Sequence, residues 1–164
     1  MSCVIFGAGK IARGFIGHLL YLSEIPFVFV EKSEKLCDLI NEKGQYTVNV
    51  LGNSDKNTVV KGVRALNYAQ REAIIEAISQ ADVVFNAVGG KNLREIIPYY
   101  AEGIRRKSTV GGYLNFVTCE NWKEPAAILR AGIEKLLPES YRGFFQEYVG
   151  ITEAVIMRSA IEAS

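Results

Sequence analysis

The sequence predicts a doubly wound α/β domain, a parallel sheet with helices on both faces, and three observations predict it. Short apolar runs alternate along the chain with segments of helical spacing. The runs are apolar at successive positions, as in strands covered on both faces. The first run, CVIF, passes directly into Gly7, Gly9, Gly14 and Gly17, in and around the start of a helix, where glycine costs about 1 kcal/mol relative to alanine.

The elements follow in order. Residues 2–6 read as a buried strand, and residues 10–22 as a helix with Ile11, Phe15, His18, Leu19 and Leu22 at helical spacing. After Pro26, FVFVE (27–31) is a second strand ending in an acid. Ser33 caps a helix that stops at Gly44. The rhythm then changes. QYTVNV (45–50) and NTVVKGVRAL (57–66) are β-branched runs joined by LGNSDK, which predicts an inserted β-hairpin at 45–66 whose second limb feeds the sheet. Helix returns at 69–80, strand at 81–90 ending in Gly-Gly, and helix at 92–107 carrying Pro98. The basic run Arg105-Arg106-Lys107 is expected to be a solvated last turn that suits the helix dipole. A strand at 111–121, a helix at 123–137 with Pro125 near its start, a short helix around 139–146 and a strand around 148–157 complete the pattern.

Bulk properties narrow the class. The 164 residues suffice for one domain with a core, and 49% apolar with 23% charged residues is a globular composition. A formal net charge of +1 argues against a nucleic-acid or anionic-membrane surface. The odd count of three cysteines, Cys3, Cys37 and Cys119, with no CxxC spacing, argues against a disulfide framework or a metal site and for a reducing compartment. No leader pattern and no membrane-spanning run is apparent, so a cytoplasmic location is expected.

The glycines answer to a nucleotide. Gly7-Ala8-Gly9-Lys10-Ile11-Ala12 is a GxGxx[GA] pattern between a predicted strand and a predicted helix. Gly7 serves the tight turn, Gly9 lets a pyrophosphate approach the backbone, and Ala12 lets the helix pack close to the sheet. Unpaired N–H groups at the helix start then hold the anion. Glu31 ends the next strand, 24 positions after Gly7, where an acid binds the adenosine ribose hydroxyls and repels a 2′-phosphate. NAD(H) is therefore expected rather than NADP(H), although Lys32 beside it is a cation that a 2′-phosphate could use. Ala87, Val88 and Gly89 lie in the end of the strand expected beside the first one, where small residues admit the nicotinamide ribose.

Four stretches carry a family resemblance: GAGKIARGFIG (7–17), NAVGGKNL (86–93), TCEN (118–121) and LPESYRGFFQEYVGITEAV (137–155). In this order they resemble the Rossmann domain of the polyol-specific long-chain dehydrogenases, the mannitol dehydrogenase family, over essentially all of the chain. The match is strongest to the branch acting on mannitol 1-phosphate. The resemblance implies reversible hydride transfer between NAD(H) and a polyol or sugar phosphate, mannitol 1-phosphate to fructose 6-phosphate. It implies a second, largely helical domain that supplies substrate contacts and a catalytic lysine, and nothing in the motifs suggests a metal. That domain is expected beyond residues 1–164. Mannitol 2-dehydrogenase and hexuronate reductase activities belong to the same family, and a free-standing NAD-binding sensor is the alternative of a different class. The resemblance also implies that Asn121 donates a hydrogen bond to the substrate oxygen as it gains charge. On the residues alone, Asn121 is equally a helix N-cap, and Glu120 either orients Asn121 or caps the same helix. Arg13 is either a solvated helix residue or a cation near the phosphates or substrate. Lys10 screens the pyrophosphate or faces solvent. Cys119 and His18 are expected to pack rather than react.

Overall fold

The computed structural model describes residues 1–161. Its main sheet contains β1 (Cys3–Phe6), β2 (Phe27–Glu31), β5 (Ala65–Asn67), β6 (Val83–Asn86), β7 (Leu114–Thr118) and β8 (Val149–Glu153). All pair in parallel, in the order β5-β2-β1-β6-β7-β8. Alternation within each strand divides the core in two. Val4, Phe6, Val28, Val30, Val84, Leu114 and Phe116 face one side, packed with α3 (Arg71–Gln80), α4 (Leu93–Val110) and α5 (Pro125–Leu136). Cys3, Ile5 and Phe29 face the other, with the first helix and α2 (Glu34–Lys43). A strand buried on both faces is the reason the apolar runs showed no polar alternation. The short α6 (Arg142–Tyr148) precedes β8.

Ser33 Oγ accepts from the Leu36 N–H, and Gly44 closes α2 in the left-handed conformation, φ 62°, so both ends of that helix lie where the sequence put them. The hairpin is inserted as expected, with one refinement. β3 (Gln45–Val48) pairs antiparallel with β4 (Thr58–Lys61) in a separate two-stranded sheet. The second limb does not run on unbroken: Gly62, at φ 71°, turns the chain before Ala65–Asn67 joins β2. Asn41 fixes that junction, donating to the Ala65 carbonyl at 2.9 Å and accepting from its N–H at 2.8 Å.

Two expectations are corrected. The first helix is not regular: a π-helical turn, Ala12–Gly17, precedes α1 (His18–Leu22). The wider turn leaves backbone carbonyls for outside donors. The Tyr46 hydroxyl donates to the Arg13 carbonyl at 2.8 Å, and the Arg158 guanidinium donates to the Gly14 carbonyl at 3.0 Å. The hairpin and the C-terminal segment thus both dock on this turn. Gly17 makes room for the hairpin, since a Cβ there would lie 2.6 Å from the Tyr46 hydroxyl oxygen. The basic run at the end of α4 is solvated only in part. Lys107 is buried and donates to the Ala81 carbonyl at 3.0 Å. Arg106 pairs with Glu72 and Glu76 of α3, and Arg105 pairs with Glu102 over the Tyr141 ring. These cations staple α4 to its neighbours.

His18 is buried, with Nδ1 3.1 Å from Arg158 Nη1 and Nε2 3.1 Å from Thr58 Oγ1. A guanidinium only donates, so Nδ1 accepts, and the proton of the neutral ring sits on Nε2 toward Thr58. Burial, then the Arg158 charge, lowers the His18 pKa below its ordinary 6.5. The unfolded chain therefore binds the extra proton first. The stabilising contribution is complete above pH 6.5 and is lost as the pH falls through the lower folded value. His18 is the single histidine of the sequence. Thermal melts between pH 7 and 5 should show a midpoint that falls with acidification, and His18→Gln should flatten that dependence. An unflattened slope in the variant would assign the effect to other groups.

Candidate functional site

The strands end in register: Phe6 lies beside Val30 and Asn86, and Asn86 beside Thr118. Their following loops therefore gather along one edge. The strand order reverses between β1 and its neighbours β2 and β6, which is where open α/β sheets place a ligand.

The turn after β1 is wedged there. The Gly7 N–H donates to the Val30 carbonyl at 2.7 Å. Gly7 has φ 95°, and a Cβ on it would collide with the Ala87 carbonyl oxygen. Both the conformation and the approach demand glycine. Ala8 and Ala12 are fully buried, while Gly9 and Lys10 are exposed and Ile11 is half-buried. A Cβ built on Gly9 meets no atom within 4 Å, so the space above it is open. Arg13 Nε donates to the Ala8 carbonyl at 2.7 Å and braces the turn from within the helix.

Glu31 is held by backbone on both oxygens: the Ala8 N–H donates to Oε2 and the Ser33 N–H to Oε1, each at 2.8 Å. The carboxylate is thereby fixed beside the glycine turn. Lys32 is drawn away to Glu95, with Nζ 2.7 and 3.0 Å from its two oxygens. Gly7, Gly9, Glu31, Lys32, Val88 and Glu95 border one cleft of about 230 Å³.

The other half of the edge is organised by a residue whose partner the sequence did not reveal. Glu120 neither caps the next helix nor orients Asn121. Its Oε1 accepts from Asn86 Nδ2 at 2.9 Å and from the Val88 N–H at 2.7 Å, and its Oε2 accepts from the Gly89 N–H at 2.9 Å. Asn86 is fully buried, and its Oδ1 accepts from the Tyr100 hydroxyl at 3.2 Å. The 86–89 loop is thus pinned by an acid one strand away. An acid directly after a buried strand end was the available signal, but only the parallel pairing of β6 and β7 supplies the partner. Asn121 is exposed beyond β7, and its side chain makes no hydrogen bond among the described residues. It is not the N-cap of α5 either: Glu124, at φ 47°, occupies that position. Cys119 is buried, and burial, aided by the Glu120 charge, pushes its thiol up to about 11, which keeps it protonated and unreactive at neutral pH. Among the described residues no helix is long and apolar enough to cross a membrane.

Residues 1–161 match the model of the mannitol dehydrogenase Rossmann domain. The chain belongs to the mannitol dehydrogenase family. It is 39% identical over 160 residues to mannitol-1-phosphate 5-dehydrogenase of Geobacillus thermodenitrificans and 34% identical over 161 residues to that of Lacticaseibacillus casei. Each match takes in 96% of this chain and 42% of the relative, so the chain spans less than half the length of these relatives. Among solved structures, the TrkA-N domain of the Escherichia coli inner membrane protein ybaL shares the fold, with a TM-score of 0.54 at 16% identity over 94% of this chain and 86% of that one. Family membership makes NAD the cofactor of this Rossmann domain. The residues present fit it: an open backbone turn at Gly9 for a pyrophosphate and an anchored carboxylate for a ribose diol.

Glu120→Ala would strand the buried Asn86 amide and the half-buried Val88 N–H, and leave the exposed Gly89 N–H to water. Urea unfolding should show a loss of about 1–3 kcal/mol, the scale of leaving a buried donor without its acceptor. Glu120→Gln, which keeps one oxygen acceptor, should lose less. A cost below about 0.5 kcal/mol for the alanine variant would show that these bonds do not hold the loop.

Proposed function

We propose that this domain holds NAD(H) for hydride transfer with a polyol phosphate, interconverting mannitol 1-phosphate and fructose 6-phosphate in a protein that also carries a second domain. The observation that carries the proposal is the Glu31 carboxylate, tied to the Ala8 N–H beside the unobstructed Gly9. In this assignment the backbone of Gly7 to Ala12 receives the pyrophosphate at the start of the first helix. Glu31 accepts from the adenosine ribose hydroxyls through lone pairs not used by the backbone. The Ala87, Val88 and Gly89 backbone, kept in place by Glu120, borders the nicotinamide side.

NAD(H), when bound, is the hydride carrier. Asn121 stands at the strand end next to Glu120, with an amide free to donate to an oxygen that gains charge. The second domain contributes the acid that protonates this oxygen and the wall that keeps water out. The names of the relatives support mannitol 1-phosphate as substrate. So does a cavity of about 600 Å³ beside the π turn, bordered by Lys10, Arg13 and Arg158, residue types that recognise phosphate.

Titration of cofactor fluorescence tests the binding assignment. Gly9→Val should abolish NADH binding while leaving the unfolding midpoint close to that of the unmodified chain, because the new side chain enters open space. Retained affinity would remove the turn from the binding site. In the longer protein, Asn121→Ala should lower kcat for fructose 6-phosphate reduction by about 10²-fold, the scale of one lost oxyanion donor, with little change in NADH affinity. A normal kcat would exclude Asn121 from charge stabilisation.

A further inference from the structure

We infer, on the assignment of the Gly7–Glu31 cleft to the adenosine ribose, that Glu95 sets the preference for NAD(H) over NADP(H) by holding Lys32. Glu31 alone does not decide that preference. Lys32 follows it directly in the chain, and a 2′-phosphate with a charge of about −2 would gain from an ammonium at the same strand end. The structure commits that ammonium elsewhere. Both Glu95 oxygens take Lys32 Nζ, at 2.7 and 3.0 Å.

The two partners come from opposite sides of β1. Lys32 follows β2, Glu95 lies in the first turn of α4 after β6, and β2 and β6 flank β1 in the sheet. The pair therefore spans the cleft, and Glu31, Lys32 and Glu95 all border it. Their side chains leave one net negative charge facing the ribose. A 2′-hydroxyl needs nothing from Lys32. A 2′-phosphate would have to take Lys32 from Glu95 and would leave an uncompensated carboxylate beside a dianion. The Lys32 and Glu95 side chains are 65% and 43% exposed, so the pair adds little to stability. Its position on the cleft gives it an effect on charge selection that its strength does not. Glu95 is thus a positioning residue, acting on the cofactor through Lys32.

The test is fluorescence titration of the chain with NADH and with NADPH at low salt, with circular dichroism melts to verify folding of each variant. Glu95→Gln should raise the NADPH-to-NADH affinity ratio by about five- to tenfold, the scale of freeing one partly exposed cation and removing one repelling charge. Adding Lys32→Ala should remove most of that gain, leaving only the smaller part due to the lost Glu95 charge, and Glu95→Asp, which keeps the charge, should retain most of the original selectivity. These outcomes are not moved by a role confined to capping α4. A ratio within twofold of the unmodified chain in Glu95→Gln, with NADH still bound, overturns the inference alone. A gain that Lys32→Ala leaves undiminished overturns the action through Lys32. If the unmodified chain binds neither NADH nor NADPH, the adenosine-site assignment falls and takes the inference with it.

Discussion

The approach of the Gly7 turn to the Ala87 carbonyl is the constraint on which the rest depends. It brings the loop after β1 against the loop after β6, closer than any side chain at position 7 permits. That contact closes the base of the crevice between the two halves of the sheet. It also fixes where the first helix begins, because Gly7 is tied to Val30 on its other side. Ala8 and Ala12 then have to be small, since both are buried beneath the turn. The only atoms of this loop left facing open space are those around Gly9.

Two acids stiffen the crevice by the same device. Glu31 ends β2 and takes an N–H from the loop after β1. Glu120 follows β7 and takes two N–H groups and a buried amide from the loop after β6. In each case a strand on the outside of the pair reaches inward to hold the loop of its inner neighbour. Binding loops on rigid scaffolds ordinarily have free backbone donors and are mobile for that reason. Here the Ala8, Val88 and Gly89 N–H groups are bonded to carboxylates, and charge-assisted bonds of this kind are stronger than neutral ones. The loops are thereby preorganised without being buried.

Legibility in the sequence followed the distance over which each feature is determined. Strand β2, the Ser33 cap, the Gly44 stop and the hairpin are set by residues adjacent in the chain, and their patterns were plain. Glu31 was also legible, because a glycine turn and an acid at the next strand end are a local arrangement repeated by every βαβ unit of this type. Glu120 was not: its partners lie 31 to 34 residues away and depend on β6 and β7 being neighbours. Lys32 and Glu95 are 63 residues apart, and nothing in either local stretch indicates that they meet. Lys107 failed for the opposite reason. A basic residue in a last helical turn has a sufficient local explanation, which concealed its burial against Ala81. The π turn has no compositional mark at all. It is expressed in the carbonyls of Arg13 and Gly14, which the hairpin and the C-terminal segment claim.

Asn121 and Glu120 are adjacent residues turned to opposite sides of one strand end. Both follow the buried Cys119, and either could in principle have been the residue that turns inward. The carboxylate turns inward because its loop partners are all donors, two N–H groups and an amide NH₂, which an anion satisfies fully and an amide side chain would satisfy only through its oxygen. The asparagine is left outward with its own donors uncommitted. Under the proposed function, exchanging the two would place an acceptor-only anion where negative charge develops, and repulsion would raise the barrier that a neutral donor lowers. On that proposal, the order Glu-Asn lets consecutive residues of a single strand end meet the fold's demand for an acceptor and the reaction's demand for a donor.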